Sequence, residues 1–242
     1  MGIENPMISV CMTSFNGEKY IEKQIDSILA CMGEQDELII SDDGSTDGTR
    51  ELVDCMAHAD GRIRLIQGPK QGVIANFENA IRQAKGDIIY LADQDDIWTM
   101  DKVEKVQIQF ADPQCMLVIH DADIVDGEEN KIEPSFFQRR GSKSGILNNI
   151  AKNSYIGCCM AFRRELLDIV LPIPRNIEMH DQWIGILAET RGKVVFLDEV
   201  LFHYRRHGDN VSSFTHYPIP KMIRNRVVLV MELAKRLIFK RK

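Results

Sequence analysis

Asp87-Ile-Ile-Tyr-Leu-Ala-Asp-Gln-Asp-Asp-Ile-Trp98 is the stretch on which the reading of the fold turns. Five consecutive apolar or aromatic residues, Ile88 to Ala92, follow a Gly-Asp start, and so short and apolar a run reads as a strand buried on both faces. The run stops in three carboxylates within four positions, Asp93, Asp95 and Asp96. Ligands of an open α/β sheet sit outside the C-terminal ends of its strands, so these acids are expected in a crevice. Side chains two apart on an extended segment point the same way, which lets Asp93 and Asp95 converge on one object. Gathered anions need a cation or hydrogen bonds to offset their repulsion. A divalent ion carrying a diphosphate meets that need, because Mg2+ is commonly held by one or two carboxylates and by phosphate oxygens. The alternative is an exposed acidic turn that caps the next helix.

Working outward, the chain before this stretch alternates strand and helix three times. Ile8–Thr13 reads as a strand running into the turn Ser14-Phe15-Asn16-Gly17, with Asn16 a candidate cap for a helix through Ile21, Ile25, Ile28 and Met32. Glu37–Ser41 is a second strand, stopping at Asp42-Asp43-Gly44-Ser45-Thr46-Asp47-Gly48. Ile63–Ile66 is a third, followed by a helix carrying Ile74, Phe77 and Ile81. Such alternation predicts a parallel, doubly wound sheet, which puts Asp42-Asp43 and Asp93-x-Asp95 on one rim. Beyond Trp98 a helix is expected to about Phe110 with Thr99 as its cap, then a strand from Met116 to His120. Asp126–Ile146 reads as a long loop and Asn153–Phe162 as a strand. A helix then opens at Glu178-Met-His-Asp-Gln-Trp183, and Lys193–Phe202 is the last expected strand.

At 242 residues, 44% hydrophobic and 27% charged, the chain has room for one large α/β domain. A net charge of −6 argues against a nucleic-acid binder, but the charge is uneven. Residues 221–242 hold eight Lys or Arg and one acid, Glu232, so this tail carries +7 while the other 220 residues carry −13. Its apolar residues Ile223, Val227, Val230, Met231, Ala234 and Ile238 fall on one helical face. A basic amphipathic helix of this kind points to an anionic membrane surface; packing on the domain or a homodimer partner is the alternative. Six cysteines occur without Cys-x-x-Cys or zinc-like His spacing, and Cys11, Cys158 and Cys159, inside strand-like apolar runs, read as buried thiols. No stretch reads as a secretory signal or a membrane span, so the expected place is the cytoplasm, peripheral on the inner face of the plasma membrane.

Four pieces in order, Val10-Cys-Met-Thr-Ser-Phe-Asn16, Ile40-Ser-Asp-Asp-Gly-Ser-Thr-Asp47, Gly72–Asn76 and Leu91-Ala-Asp-Gln-Asp-Asp96, resemble those of a family 2 glycosyltransferase with the GT-A nucleotide-diphospho-sugar transferase fold, a Rossmann-like and mostly parallel sheet flanked by helices. The resemblance covers the chain nearly end to end. Asp-Gln-Asp-Asp-Ile-Trp98, Met179-His-Asp-Gln-Trp183 and Tyr204-Arg-Arg-His-Gly-Asp-Asn-Val-Ser212 are similar to bacterial rhamnosyltransferases of polysaccharide assembly. Carried over, the resemblance implies that Thr13, Phe15, Asn16 and Asp42 line the nucleotide, that Asp43 supports that loop and that Asn76 touches the same side. It implies that Asp93 meets ribose or metal, and that Asp95 holds a Mg2+ or Mn2+ ion bridging the diphosphate, completed by His207. Arg205 would pair with the diphosphate. Asp181 would be the general base, with His180 in place of the family's commoner acid. A helix N-terminus should lower the pKa of such an acid. Trp98, His180 and Trp183 would face the acceptor. The processive Gln-x-x-Arg-Trp motif is absent, which implies one sugar per visit.

The expected domain plan is a GT-A domain over residues 1–220, its nucleotide half 1–98 and its acceptor half 99–220, with a basic amphipathic helix at 221–242. The expected function is inverting, metal-dependent transfer from dTDP-rhamnose or a UDP-sugar to a glycan or lipid-linked glycan hydroxyl. A catalytically silent sugar-nucleotide binder is the first alternative. A haloacid-dehalogenase-like phosphohydrolase also ends a strand in Asp-x-Asp, but after its first strand, whereas here the motif follows the fourth.

Overall fold

The computed structural model describes residues 6–207 and 218–239. In chain order the elements are β1 (Ile8–Ser14), α1 (Ile21–Leu29), β2 (Glu37–Asp42), α2 (Thr49–Ala59), β3 (Ile63–Gln67), α3 (Val73–Ile81), β4 (Ile88–Ala92), β5 (Ile97–Trp98), α4 (Lys102–Gln109) and β6 (Cys115–Val125). They continue as β7 (Lys131–Glu133), α5 (Phe136–Arg140), α6 (Ile146–Ala151), β8 (Met160–Arg163), α7 (Leu167–Val170), α8 (His180–Glu189), β9 (Lys193–Arg205) and α9 (Ile219–Phe239). One sheet runs β3-β2-β1-β4-β8-β6-β9-β5, with β7 added to β6.

The first four long strands pair in parallel as expected, and every residue of β1 and β4 is buried. That burial on both faces is why their sequences are apolar runs rather than alternations. β8 then enters antiparallel between β4 and β6, while β6 and β9 run parallel, so the sheet is mostly but not wholly parallel. This is a GT-A architecture. The crossover helices cover the faces: α1 buries Ile21, Ile25 and Ile28 with Gln24, whose side-chain amide donates to the Asp93 carbonyl at 2.9 Å.

Several local expectations are corrected. Asn16 does not cap α1, which begins at Ile21; it sits at φ 49° and its side-chain oxygen accepts from Thr46 N at 2.8 Å. Thr99 does not cap α4, because its hydroxyl turns to Asp101 at 2.7 Å and the helix starts at Lys102. The region 126–146 is not a featureless loop: β7 and α5 form within it, and α6 begins at its end. Ser135 caps α5 by accepting from Gln138 N, Gly141 ends it at φ 63°, and buried Asp121 accepts from the Ser135 hydroxyl and from Phe137 N. Elements of three to six residues are too short to show a period. The strand expected over 153–162 shrinks to β8, because residues 157–159 fold into a 3-10 turn. β6 runs five residues past His120, since His120, Asp121 and Asp123 are buried polar groups that break the apolar signature.

Cys11, Cys158 and Cys159 are buried thiols, as expected; Cys115 is buried as well, Cys31 half-buried and Cys55 exposed. No described helix is long and apolar enough to cross a membrane.

Candidate active site

The C-terminal ends of β1, β2 and β4 lie side by side, and the three loops leaving them are bonded to one another. Gln94, between the acids, closes a two-way clamp: its side-chain oxygen accepts from Phe15 N at 2.8 Å and its amide donates to Phe15 O at 3.0 Å. Asn16 N donates to the Ser45 hydroxyl at 2.9 Å. The Asp43 carboxylate accepts from Lys70 N at 2.7 Å and Gly72 N at 2.8 Å, fastening the loop before α3. Phe15 is left 56% exposed, a flat apolar ring open to a planar ligand.

Other residues assigned to the nucleotide turn inward. Asp42 is fully buried: it accepts from the hydroxyls of Ser14 and Ser45, and from Arg50 and Gly44 N. Burial pushes its pKa up, but these bonds outweigh burial and hold it below the usual carboxylate range. Asn76 is 2% exposed and binds the Ser41 carbonyl and hydroxyl. Both shape the loops rather than line the crevice, correcting the expected contacts. Thr13 is buried at the end of β1.

At the acid tip Asp93 gathers with Asp96, while Asp95 turns to His207. Asp95 Oδ2 lies 2.7 Å from His207 Nε2, so the segment just past β9 delivers an imidazole to the acid of the loop after β4. His207 in turn packs on Tyr20, ring centroids 4.7 Å apart. Burial, then the charges of Asp95 and Asp181, push the Asp93 carboxyl up to about 7. Asp96 points into the protein: Oδ1 accepts from Arg205 N, Oδ2 is buried with no hydrogen-bond partner among the described residues, and its pKa is pushed well up by burial. One donor atom each of Asp93, Asp96 and Cys158 fall within 4.8 Å of one another. Beside this cluster the Asp95 carboxylate and the His207 imidazole, with Asp93 close enough to feel the Asp95 charge, are donors of the kind that hold a divalent cation. Excess negative charge with few balancing cations is the electrostatic condition such an ion relieves.

Arg205 is corrected from diphosphate ligand to brace. Only 3% exposed, it donates through Nε to the Asp95 carbonyl at 2.8 Å and pairs with Glu129, its guanidinium 5.0 Å from the Tyr20 ring. The motif from Gly208 to Ser212 lies outside the described residues.

Asp181 sits in the first turn of α8, its Oδ1 accepting from Asn153 Nδ2 at 3.0 Å and from Gln182 N. Its pKa does not fall as a helix N-terminus alone would have it. Burial pushes it up to about 6, and the hydrogen bonds from Gln182 N and Asn153 only moderate the rise. An acid poised there is ionised at neutral pH and still basic enough to take a proton.

The three acceptor-facing candidates are all corrected, because each is sealed from solvent. Trp98 is 3% exposed between Tyr90 and Lys102, whose ammonium lies 3.8 Å from its ring centroid. His180 stacks on Phe77 at 4.2 Å and abuts Gly157, where an added Cβ would come within 2.8 Å of its ring nitrogen. Burial depresses its pKa to about 3, so it packs as a neutral ring. Trp183 is fully buried, donates Nε1–H to the Val170 carbonyl at 2.9 Å and lies beneath the Arg236 guanidinium. Trp183→Phe should therefore destabilise the protein by about 1–2 kcal/mol in urea unfolding while leaving the acceptor KM unchanged. A raised KM at unchanged stability would restore the acceptor role.

Sequence reasoning missed Gln94, Asn153 and Lys102. Lys102 is a fully buried lysine that donates to the Cys158 carbonyl at 3.1 Å, its pKa lowered to about 8 by burial. The doubled amide chemistry of Gln94 between two acids was a usable signal. Nothing in a helix-surface pattern marks Lys102 as interior.

Known proteins resemble this chain over most of its length. The profile of glycosyl transferase family 2 matches residues 9–170. An uncharacterized glycosyltransferase of Nostoc sp. is 30% identical over 211 residues, which cover 84% of this chain and 66% of that relative. An Escherichia coli protein named UDP-Glc:alpha-D-GlcNAc-diphosphoundecaprenol beta-1,3-glucosyltransferase is 26% identical, over 87% of this chain and 81% of its own. Among solved structures, S. aureus TarS 1-349 in complex with UDP-GlcNAc superposes with a TM-score of 0.72 at 19% identity, covering 93% of this chain and 66% of that one. A mannosyltransferase from Pyrobaculum calidifontis in complex with GDP-Man and Mn2+ gives 0.62 at 20% identity, over 83% and 57%. The chain thus spans about two thirds of the Nostoc relative and of the TarS fragment.

Proposed function

Because this chain belongs to glycosyl transferase family 2, we propose that it moves one sugar from a nucleotide-diphospho-sugar to a hydroxyl of a lipid-linked glycan in cell-surface polysaccharide biosynthesis. The observation that carries the reading is the gathering of acids at one end of the parallel strands: the charges of Asp95 and of the poised Asp181 both act on Asp93, and His207 meets Asp95.

In this reading residues 1–98 hold the donor and 99–220 the acceptor. Phe15 stacks on the base, and Asn16 and Asp43 keep the surrounding loops in place. Asp93, Asp95 and His207 would hold Mg2+ or Mn2+. When bound there, the ion would supply Lewis-acid neutralisation of the charge on the leaving nucleoside diphosphate. Asp181 takes the proton of the acceptor hydroxyl as its oxygen bonds to the anomeric carbon and the bond to the diphosphate breaks. Attack from the face opposite the leaving group inverts the anomeric centre. The named relative supports a UDP-sugar donor and a diphospholipid-linked acceptor. The Mn2+ complex of the mannosyltransferase supports a divalent ion. The rhamnosyltransferase-like motifs keep dTDP-rhamnose as the competing donor.

The test is a thermal-shift screen of UDP, dTDP, GDP and CDP, each with and without Mn2+ or Mg2+. A ligand that binds only the native state raises apparent stability with occupancy, about 2.7 kcal/mol at a hundredfold excess over Kd. Metal-dependent stabilisation by UDP or dTDP alone is expected and names the donor nucleotide. No shift with any nucleotide would remove the transferase reading. Stabilisation without turnover of any sugar nucleotide would leave a silent binder.

A further inference from the structure

The C-terminal helix α9 has two apolar faces, and the domain covers only one. Leu229 and Leu233 are buried, and the helix lies against α6 and α8. Arg226 donates to the Ala151 carbonyl at the end of α6, and Arg236 donates to the carbonyls of Ile169 and Pro172. The face that the sequence marks as apolar is a different one. Ile223, Val227, Met231 and Ile238 are each more than half exposed, and Val230 and Ala234 between them are exposed as well. At roughly 100° per residue these six fall within an arc of about 120°, a continuous stripe along the helix.

The charges around the stripe are of one sign. Arg224 and Lys235 border it, and the single acid of the helix, Glu232, lies beyond Lys235, away from the stripe, and pairs with it and with Asn176. Residues 221–242 carry +7 in a chain of −6 overall. A second copy of the chain would bring +7 against +7 if it docked stripe to stripe. An anionic lipid surface satisfies both features at once, taking the apolar side chains below the headgroups and the cations at them.

We infer that α9 is a monolayer-docking helix that seats the protein on an anionic lipid surface through Ile223, Val227, Met231 and Ile238, with Arg224 and Lys235 at the headgroups. The docking also sets the direction of the active site. α9 is packed on α8, whose first turn carries Asp181, and Arg236 lies 4.9 Å from the ring of Trp183, two residues on. The acceptor side of the crevice is thereby tied rigidly to the lipid-facing helix. This orientation deepens, and rests on, the lipid-linked acceptor of the proposed function; the docking itself does not.

The test is cosedimentation of the 242-residue chain, without nucleotide, with vesicles of phosphatidylcholine alone or mixed with phosphatidylglycerol. Binding only to the anionic vesicles, falling with added salt, is expected. Arg224→Gln with Lys235→Gln should weaken it roughly thirtyfold, at about one kcal/mol for each cation. Ile223→Ser with Val227→Ser and Met231→Ser should abolish it, with the thermal unfolding midpoint near that of the parent because these side chains are exposed. Nucleotide-induced thermal shifts should persist in both variants, so failure of the docking and failure of the transferase reading are separate results. Absence of binding to anionic vesicles would overturn the inference. So would a dimer in sedimentation velocity that the triple serine variant converts to monomer, which would assign the stripe to a second copy.

Discussion

Asp95→Ala should lower sugar transfer by roughly 10³-fold or more, and should erase the metal-dependent part of any nucleotide-induced thermal shift. Asp95 meets His207, just past β9, through its carboxylate, with Oδ2 2.7 Å from Nε2. Its backbone, not its side chain, anchors the loop, because Arg205 Nε donates to the Asp95 carbonyl. Truncation therefore removes the ligand and leaves the loop's main tether. The neighbouring acids define the direction of the second effect. Asp93 is held up to about 7 by burial and by the charges of Asp95 and Asp181. Removing Asp95 deletes one of those charges, so the folded apoprotein should be as stable as the parent or slightly more so. Full activity in Asp95→Ala, or unchanged metal dependence, would exclude Asp95 as the ion's ligand. His207→Ala should be milder, because it leaves both carboxylates.

Asp181→Asn should lower kcat about 10²–10⁴-fold while leaving the donor's Kd and its thermal shift intact. The amide retains the oxygen that accepts from Asn153 and Gln182 N, so the turn is kept and only the basicity is lost. The pH dependence follows from the burial that raises Asp181 to about 6. A general base must be deprotonated, so the rate should rise through about pH 6 and level off above it. Asn153→Ala removes a hydrogen bond that favours the ionised form, and so should move this limb upward in pH. Wild-type turnover by Asp181→Asn would exclude Asp181 as the base. An acidic limb unchanged in a residually active Asp181→Asn enzyme would assign that limb to another group.

Both expectations start from residues legible in the sequence, yet their placement is unevenly legible. Runs such as Ile8–Thr13 and Ile88–Ala92 announce themselves, because strands buried on both faces are largely apolar. The turn residues that stop them are equally plain, and parallel alternation alone puts those turns on one rim. Beyond β4 the signal weakens. β6 hides behind His120, Asp121 and Asp123, whose polarity is answered by partners distant in sequence, among them His203 and Ser135. The antiparallel entry of β8 between β4 and β6 leaves no mark in a four-residue strand.

The same divide runs through the site. Local chemistry determined that acids gather at strand ends, that an acid opens α8 and that the tail is a basic amphipathic helix, because these depend on neighbours in sequence. Which side chains face the crevice was decided only by tertiary packing. Asp42, Asn76 and Arg205 are polar and in the right loops, but each finds its hydrogen bonds inside the protein, as buried polar groups must. Trp98 and Trp183 are large enough to stack on a sugar, and packing against β4, α4 and α9 claims them for the core. The pKa of Asp181 is the sharpest case: its position in the helix argues for a fall, and the layers closed over it produce a rise. Desolvation is a property of everything packed around a group, and no stretch of sequence carries it.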